Sequence, residues 1–205
     1  MITNWGYTLT ELDELPDMLS VDEFNAYTGG EYAKDCEKVE KELSAACAAI
    51  RNFTGWHLYP SAECELSTIA LDRRVTFVGC DILIQLPARV VTAVDLVRIG
   101  TTEYASYFCD QNGLLRIFNA GNVSRSTPIV VDYTAGLDDG MMAPIGELIA
   151  HRVTHAVAIP SGITSEASGG VSVTYNANWI NNSRATALAG DNKELLVPYK
   201  VQGVF

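Results

Sequence analysis

The stretch Val131-Asp132-Tyr133-Thr134-Ala135-Gly136, running on through Asp138-Asp139-Gly140 and Pro144 to Ile159, is where the spacing of apolar residues changes from two to between three and four. Before it, short runs rich in Val, Ile, Thr, Tyr and Phe alternate, each bounded by turn residues: Leu66 to Leu71, Val75 to Val78, Ile82 to Leu86, Val90 to Ile99, Tyr104 to Phe108, Leu114 to Phe118 and Ile129 to Tyr133. Such runs are the sequence form of half-buried strands. Gln111-Asn112-Gly113 marks a hairpin, because Asn-Gly supplies the positive φ angles of a tight turn. Pro87 and Pro128 fall at strand ends, where a missing amide costs little. After the stretch, Pro144 suits a first helical turn, and Ile145, Leu148, Ile149, Arg152, Val153, Ala156 and Val157 continue at helical spacing until Pro160.

Further from this junction, Glu31 to Thr54 places Tyr32, Cys36, Val39, Leu43, Ala46, Cys47, Ile50 and Phe53 on one helical face. Lys34, Glu37, Lys38, Lys41 and Glu42 take the opposite face, and Gly55 closes the helix. Ser20-Val21-Asp22-Glu23 has the form of a capping box and predicts a short helix to about Thr28. Residues 1–19 carry Trp5, Tyr7, Leu9, Leu12, Leu15 and Leu19 among many acids and read as an extended acidic arm that needs a neighbour. Residues 161–170 read as a loop, Val171 to Tyr175 as a small strand, and Asn178 to Ala189 as a modest helix capped by Gly190. The expected fold class is α+β. A small helical bundle (20–60 and 137–190) holds an inserted antiparallel β lobe (61–136), and an extended C-terminal docking tail (191–205) follows. Val39, Leu43, Ile50, Phe53, Ile145, Leu148, Ile149 and Val153 are the expected packing residues of the bundle.

The chain has 205 residues, enough to bury a core without covalent staples. Its five cysteines are odd in number and lack any C-x-x-C spacing, so neither a disulfide framework nor a zinc knuckle is indicated. The N-terminal sequence has no basic and apolar signal-peptide regions, and no run reaches the ~20 apolar residues of a membrane span. A soluble protein made in a cytoplasm is expected, with no membrane association. The net charge is −11, and residues 1–50 hold 11 acids against 3 bases. Such a surface repels phosphate backbones and argues against sequence-specific nucleic-acid binding, while leaving room for DNA to slide past without sticking.

His151 and His155 are the residues that tempt an enzymatic reading, because one helical turn is a legitimate metal-ligand spacing. The zinc-protease motif needs Glu after the first His, however, and Arg152 stands there. With His57 the other histidine and no clear third ligand, the pair reads as polar residues on a helix rim. A metal-dependent hydrolase is thus a remote alternative. No G-x-S-x-G elbow, phosphate-binding P-loop or strand-associated G-x-G-x-x-G occurs, Ser168-Gly169-Gly170 reads as loop, and Asp138 with Asp139 reads as a solvated turn. A ligand- or carbohydrate-binding β module has only Tyr104, Tyr107 and Phe108 behind it. No catalytic residue, metal or cofactor is assigned.

The order of phrases carries a resemblance. Phe53-Thr54-Gly55 ends the amphipathic helix. Leu86-Pro87 then precedes Val90-Val91-Thr92-Ala93-Val94, Val130 to Gly136 closes the strand block, and Ala143-Pro144 starts a helix. Ser165-Glu166-Ala167-Ser168-Gly169-Gly170-Val171-Ser172-Val173-Thr174-Tyr175 and the final Val197-Pro198-Tyr199 follow. Over about residues 20–200 this resembles the head-tail connector proteins of long-tailed double-stranded DNA bacteriophages, also called adaptors or head completion proteins. The resemblance implies a virion-neck protein, made in the host bacterial cytoplasm and not an enzyme. Its copies form a ring, usually of twelve, beneath the portal protein and above a stopper or tail-completion protein. DNA passes the channel without sequence-specific binding. It also implies that Glu194, Leu195, Leu196, Val197, Pro198, Tyr199 and Lys200 dock on the portal. A stopper or tail terminator ring is the alternative within the same class.

Overall fold

The computed structural model describes residues 2–32, 36–121, 123–158, 165–168, 171–174 and 191–201. The chain falls into two units, one made of Met1–Pro16, Thr54–Asp139 and Tyr199–Phe205, the other of Asp17–Phe53 and Gly140–Pro198.

The first unit is built from strands: β1 (Ile2–Asn4), β2 (Tyr7–Leu9), β3 (Ala62–Ile69), β4 (Val75–Val78), β5 (Asp81–Gln85), β6 (Val91–Ile99), β7 (Thr102–Glu103), β8 (Tyr107–Cys109), β9 (Leu114–Ile117) and β10 (Pro128–Ala135). They form a six-stranded sheet in the order β1-β2-β3-β10-β6-β7 and a four-stranded sheet in the order β4-β5-β9-β8, with every pairing antiparallel. The alternation along β10 explains its central place. Ile129, Val131, Tyr133 and Ala135 are buried, and each faces a buried partner across the ladder. Val131 lies between Leu66 and Val97, and Ala135 between Ala62 and Val91. Leu9 on β2 extends the row of Tyr133 and Cys64. Side chains stacked in this way across a ladder are what fixes register, since a one-residue slip would turn them all to the other face. In the smaller sheet Ile82 faces Ile117 and Ile84 faces Leu115, all fully buried. The Tyr107 hydroxyl on β8 donates to the Val94 carbonyl on β6 (2.8 Å) and ties the two sheets together.

A buried polar knot joins the amino-terminal hairpin to this core. The Tyr7 hydroxyl lies 2.6 Å from His57 Nδ1 and accepts from the His57 amide at 3.0 Å, while His57 Nε2 lies 3.0 Å from the Ala135 carbonyl. A carbonyl only accepts, so Nε2 carries the proton and Nδ1 takes the Tyr7 hydroxyl hydrogen. Both residues are buried, so each bond is made where water cannot replace it. Directly after β10, Gly136 has φ +136°, and a Cβ there would come within 2.5 Å of the Ser61 Cα. Only glycine lets the strand end pass so close to the Pro60-Ser61 backbone.

The second unit contains α1 (Val21–Tyr27), α2 (Cys36–Thr54, which runs into the first unit at its last residue), α3 (Ala143–Ala158), a hairpin of β11 (Ser165–Ser168) and β12 (Val171–Thr174), and α4 (Asp191–Leu196). The Ser20 capping box forms: Ser20 Oγ accepts from the Glu23 amide at 3.2 Å, and Glu23 Oε2 accepts from the Ser20 amide at 2.8 Å. The Ser20 hydroxyl, which donates to Glu23 Oε2 at 2.7 Å, and then the Ser20 amide hold the Glu23 carboxyl below its ordinary range. Asp17 accepts from the Ser44 hydroxyl (2.8 Å) and the Met18 amide donates to Cys47 Sγ (3.2 Å), which fastens the approach to α1 along α2. Lys38 Nζ donates to the Val157 carbonyl at 2.8 Å, placing a cation and a donor where the end of α3 has carbonyls left over. Gly146 in α3 leaves room for Tyr27 and Leu19.

The fold class expected from sequence is therefore corrected. The described structure is mostly two antiparallel sheets with a few helices, rather than a helical bundle carrying a β lobe. The physical reason lies in the two ends of the chain. Residues 1–19, expected as an extended arm, supply β1 and β2, and Tyr7 and Leu9 are buried in the sheet unit. Residues 191–205, expected as an extended tail, hold α4 and a 3-10 turn at Val197–Tyr199. Helices α1 and α4 are seven and six residues long, too short to add struts to a bundle. The strand block thus gains β1, β2 and β7, and three of its expected strands are reshaped: β3 runs Ala62–Ile69 in place of Leu66 to Leu71, β10 is longer at both ends, and the Tyr104 to Phe108 run is displaced to Tyr107–Cys109. Part of the loop expected over 161–170 is strand β11. The helix expected over Asn178 to Ala189 lies outside the described residues.

Two substitutions test this core. Gly136→Ala combines a disallowed φ with overlap against Ser61 and should lower unfolding free energy by on the order of 3 kcal/mol. Tyr7→Phe keeps the ring but strips His57 Nδ1 and the His57 amide of their hydroxyl partner, and should cost roughly 1–3 kcal/mol. Urea titration followed by tryptophan fluorescence measures both, and a midpoint unchanged from wild type would contradict the account.

Candidate functional site

Along the carboxy-terminal segment, burial changes residue by residue. In α4 and the turn after it, Leu196 is fully buried, whereas Leu195 and Val197 are each 56% exposed. Glu194, Pro198 and Lys200 are exposed and Tyr199 is intermediate. The chain is then fixed by backbone bonds within the sheet unit. Trp56 Nε1 donates to the Tyr199 carbonyl at 2.7 Å, and the Val201 amide donates to the Thr54 carbonyl at 2.9 Å. Trp56 and Val201 are buried. Leu195 and Val197 are thus apolar side chains presented to solvent on a short helix and turn whose onward path is fixed, a form suited to contact with another protein. Val201 also lines a shallow pocket with Trp5, Gly55, Arg74, Gln85, Leu86 and Pro87.

Of the side chains expected to pack the helices, Val39, Leu43 and Ile50 on α2 are buried, as are Ile145, Leu148, Ile149 and Val153 on α3, while Phe53 is intermediate. His151 and His155 lie on the outer side of α3, with Nε2 atoms 3.2 Å apart and rings edge to face. Burial first, and then the neighbouring His151, push the His155 pKa down. Arg152, which sequence places as a repulsive charge beside this pair, is buried about 100° further around the helix. Burial lowers its pKa.

The chemistry of the thiols is governed by burial. Cys47 and Cys109 are pushed up to about 11 and Cys64 to about 12, in each case chiefly by desolvation. At neutral pH they are protonated, and a thiol rather than a thiolate is a poor nucleophile. Tyr133, buried against Cys64 and Tyr7, is pushed up for the same reason. Asp132 on β10 is raised by desolvation, with Asp95 adding to the shift and Arg98 opposing it. Among the described residues no group of three or more His, Cys, Asp or Glu is arranged to hold a metal ion, and no helix is long and apolar enough to cross a membrane. The Tyr7-His57 knot is the polar arrangement that sequence reading missed, because neither residue belongs to a motif and they are 50 positions apart.

No protein-family model matches the chain, and no curated protein matches its sequence significantly.

Of the four described thiols, Cys80 is the exposed one. In the native protein a maleimide should label Cys80 within minutes and leave Cys47 and Cys64 unlabelled until denaturant is added. Peptide mass spectrometry after a timed quench reads this, and early labelling of Cys64 would contradict the packing around Tyr133.

Proposed function

We propose that this chain is a head-tail connector protein of a long-tailed double-stranded DNA bacteriophage, a non-enzymatic adaptor of the virion neck. Its copies form a ring beneath the portal, extend the DNA channel and link head to tail. The observation that carries this reading is the presentation of Leu195 and Val197, flanked by Pro198, at the segment where the sequence resembles the portal-docking end of such proteins. The charge of −11 supports it, because a channel wall that makes no phosphate contacts releases no counterions and does not hold the DNA. A ring follows when a head-to-tail contact between identical subunits closes on itself.

The anchoring of the segment decides how to test it. Deleting residues 194–205 would also remove the Trp56-Tyr199 and Thr54-Val201 bonds, confusing lost docking with lost folding. The paired substitution Leu195→Asp and Val197→Asp changes only exposed side chains. Mixed with the phage's portal protein, the wild-type chain should form a ring coaxial with the portal by electron microscopy. The paired variant should fold with an unchanged thermal midpoint and lose at least about tenfold in portal affinity, as expected when apolar anchors are removed from a contact. Full retention of portal binding by the variant would overturn the docking assignment. Capture of the wild type by a tail-side protein in place of the portal would move the chain one ring lower, to the stopper position.

A further inference from the structure

We propose that His151 and His155 form a two-ligand chelating site for a divalent first-row transition ion, of the nickel, copper or zinc class, on the outer side of α3. Geometry is the main support. Two nitrogens each about 2.0–2.1 Å from one ion, at angles between a right angle and the tetrahedral one, stand about 2.9–3.4 Å apart. The His151 and His155 Nε2 atoms are 3.2 Å apart. Their shared helix already holds the two rings at that span, so an ion can take the place of the shared proton once the donating ring carries that proton on Nδ1 and both Nε2 lone pairs are free. Imidazole suits these ions, which bind nitrogen donors more tightly than magnesium or calcium do.

The surroundings agree. His151 is exposed and His155 partly so, which gives an ion access from solvent. His155 is in the last turn of α3, where the helix dipole favours positive charge. Arg152, one residue from His151 and three from His155, is buried, whereas His151 is exposed. With no three-ligand group among the described residues, the remaining coordination positions are left to water or to a donor from another molecule. The site is therefore unlike a closed structural zinc centre and is independent of the neck assignment.

The test uses the full, untagged chain carrying Cys80→Ser, which removes the exposed thiol as a competing ligand. Calorimetric titration with nickel(II) should give one ion per chain. His151→Asn and His155→Asn should each weaken binding by at least about tenfold, the loss expected when a second ligand no longer acts at high effective concentration. Copper(II) at one equivalent should show coupling to two imidazole nitrogens by electron paramagnetic resonance. The double variant binding nickel as tightly as its parent, or copper coupling to fewer than two imidazoles in the parent chain, would overturn the proposal. The copper spectrum decides even if a histidine variant folds poorly, because it needs no variant at these positions.

Discussion

Everything in the sheet unit depends on the hydrogen-bonded ladders on both sides of β10. Its eight residues pair with β3 along their whole length and with β6 through two register shifts. The shifts fall at Asp132/Tyr133 and at Thr134/Ala135. Such irregularities bend and twist a strand, and here they let one face of β10 keep Tyr133 and Ala135 buried while its partner strand changes step. The buried rows follow from that face. Desolvation then sets the chemistry of the groups caught in it, which is why Cys64 and Tyr133 stay protonated and why the one polar arrangement at its end, Tyr7 with His57, has its hydrogens assigned by neighbours.

The two chain ends show how a sheet recruits sequence that looks unattached. Tyr7 and Leu9 alternate over only three residues of strand, and their partner β3 starts more than 50 positions later. At the other end the Tyr199 carbonyl and the Val201 amide are taken up by Trp56 and Thr54. In both places a backbone group that would otherwise need water is satisfied by the core of the sheet unit.

Much of the strand framework was legible from the residues. From Ala62 to Ala135 the alternation of β-branched and polar residues marks most strands, and Asn112-Gly113 marks the turn between β8 and β9. The capping box at Ser20 and Glu23 was legible too, because its chemistry is local. The balance of the fold was not. Acids at Glu11, Asp13, Glu14 and Asp17 hide the short alternation before them, so the amino-terminal hairpin reads as an arm. In the candidate docking segment, composition shows apolar residues. Which of Leu195, Leu196 and Val197 faces inward depends on the rotation of one helical turn, which no periodicity over so few residues can set.

The strand order carries a consequence for the timing of folding. Without β10, the larger sheet is two separate pieces, β1-β2-β3 and β6-β7. On the ribosome β10 is the last of the six to emerge, so the earlier strands must wait with open edges until residue 135 has left the tunnel. Pairings this distant in sequence are slow to form, and open edges are sticky while they wait. The four strands of the smaller sheet come from the connections on either side of β6 and β7. Its β4-β5 hairpin can form early and keep part of that waiting chain occupied. The tie from the Val201 amide to the Thr54 carbonyl is added later still, because Val201 follows β10 in the chain.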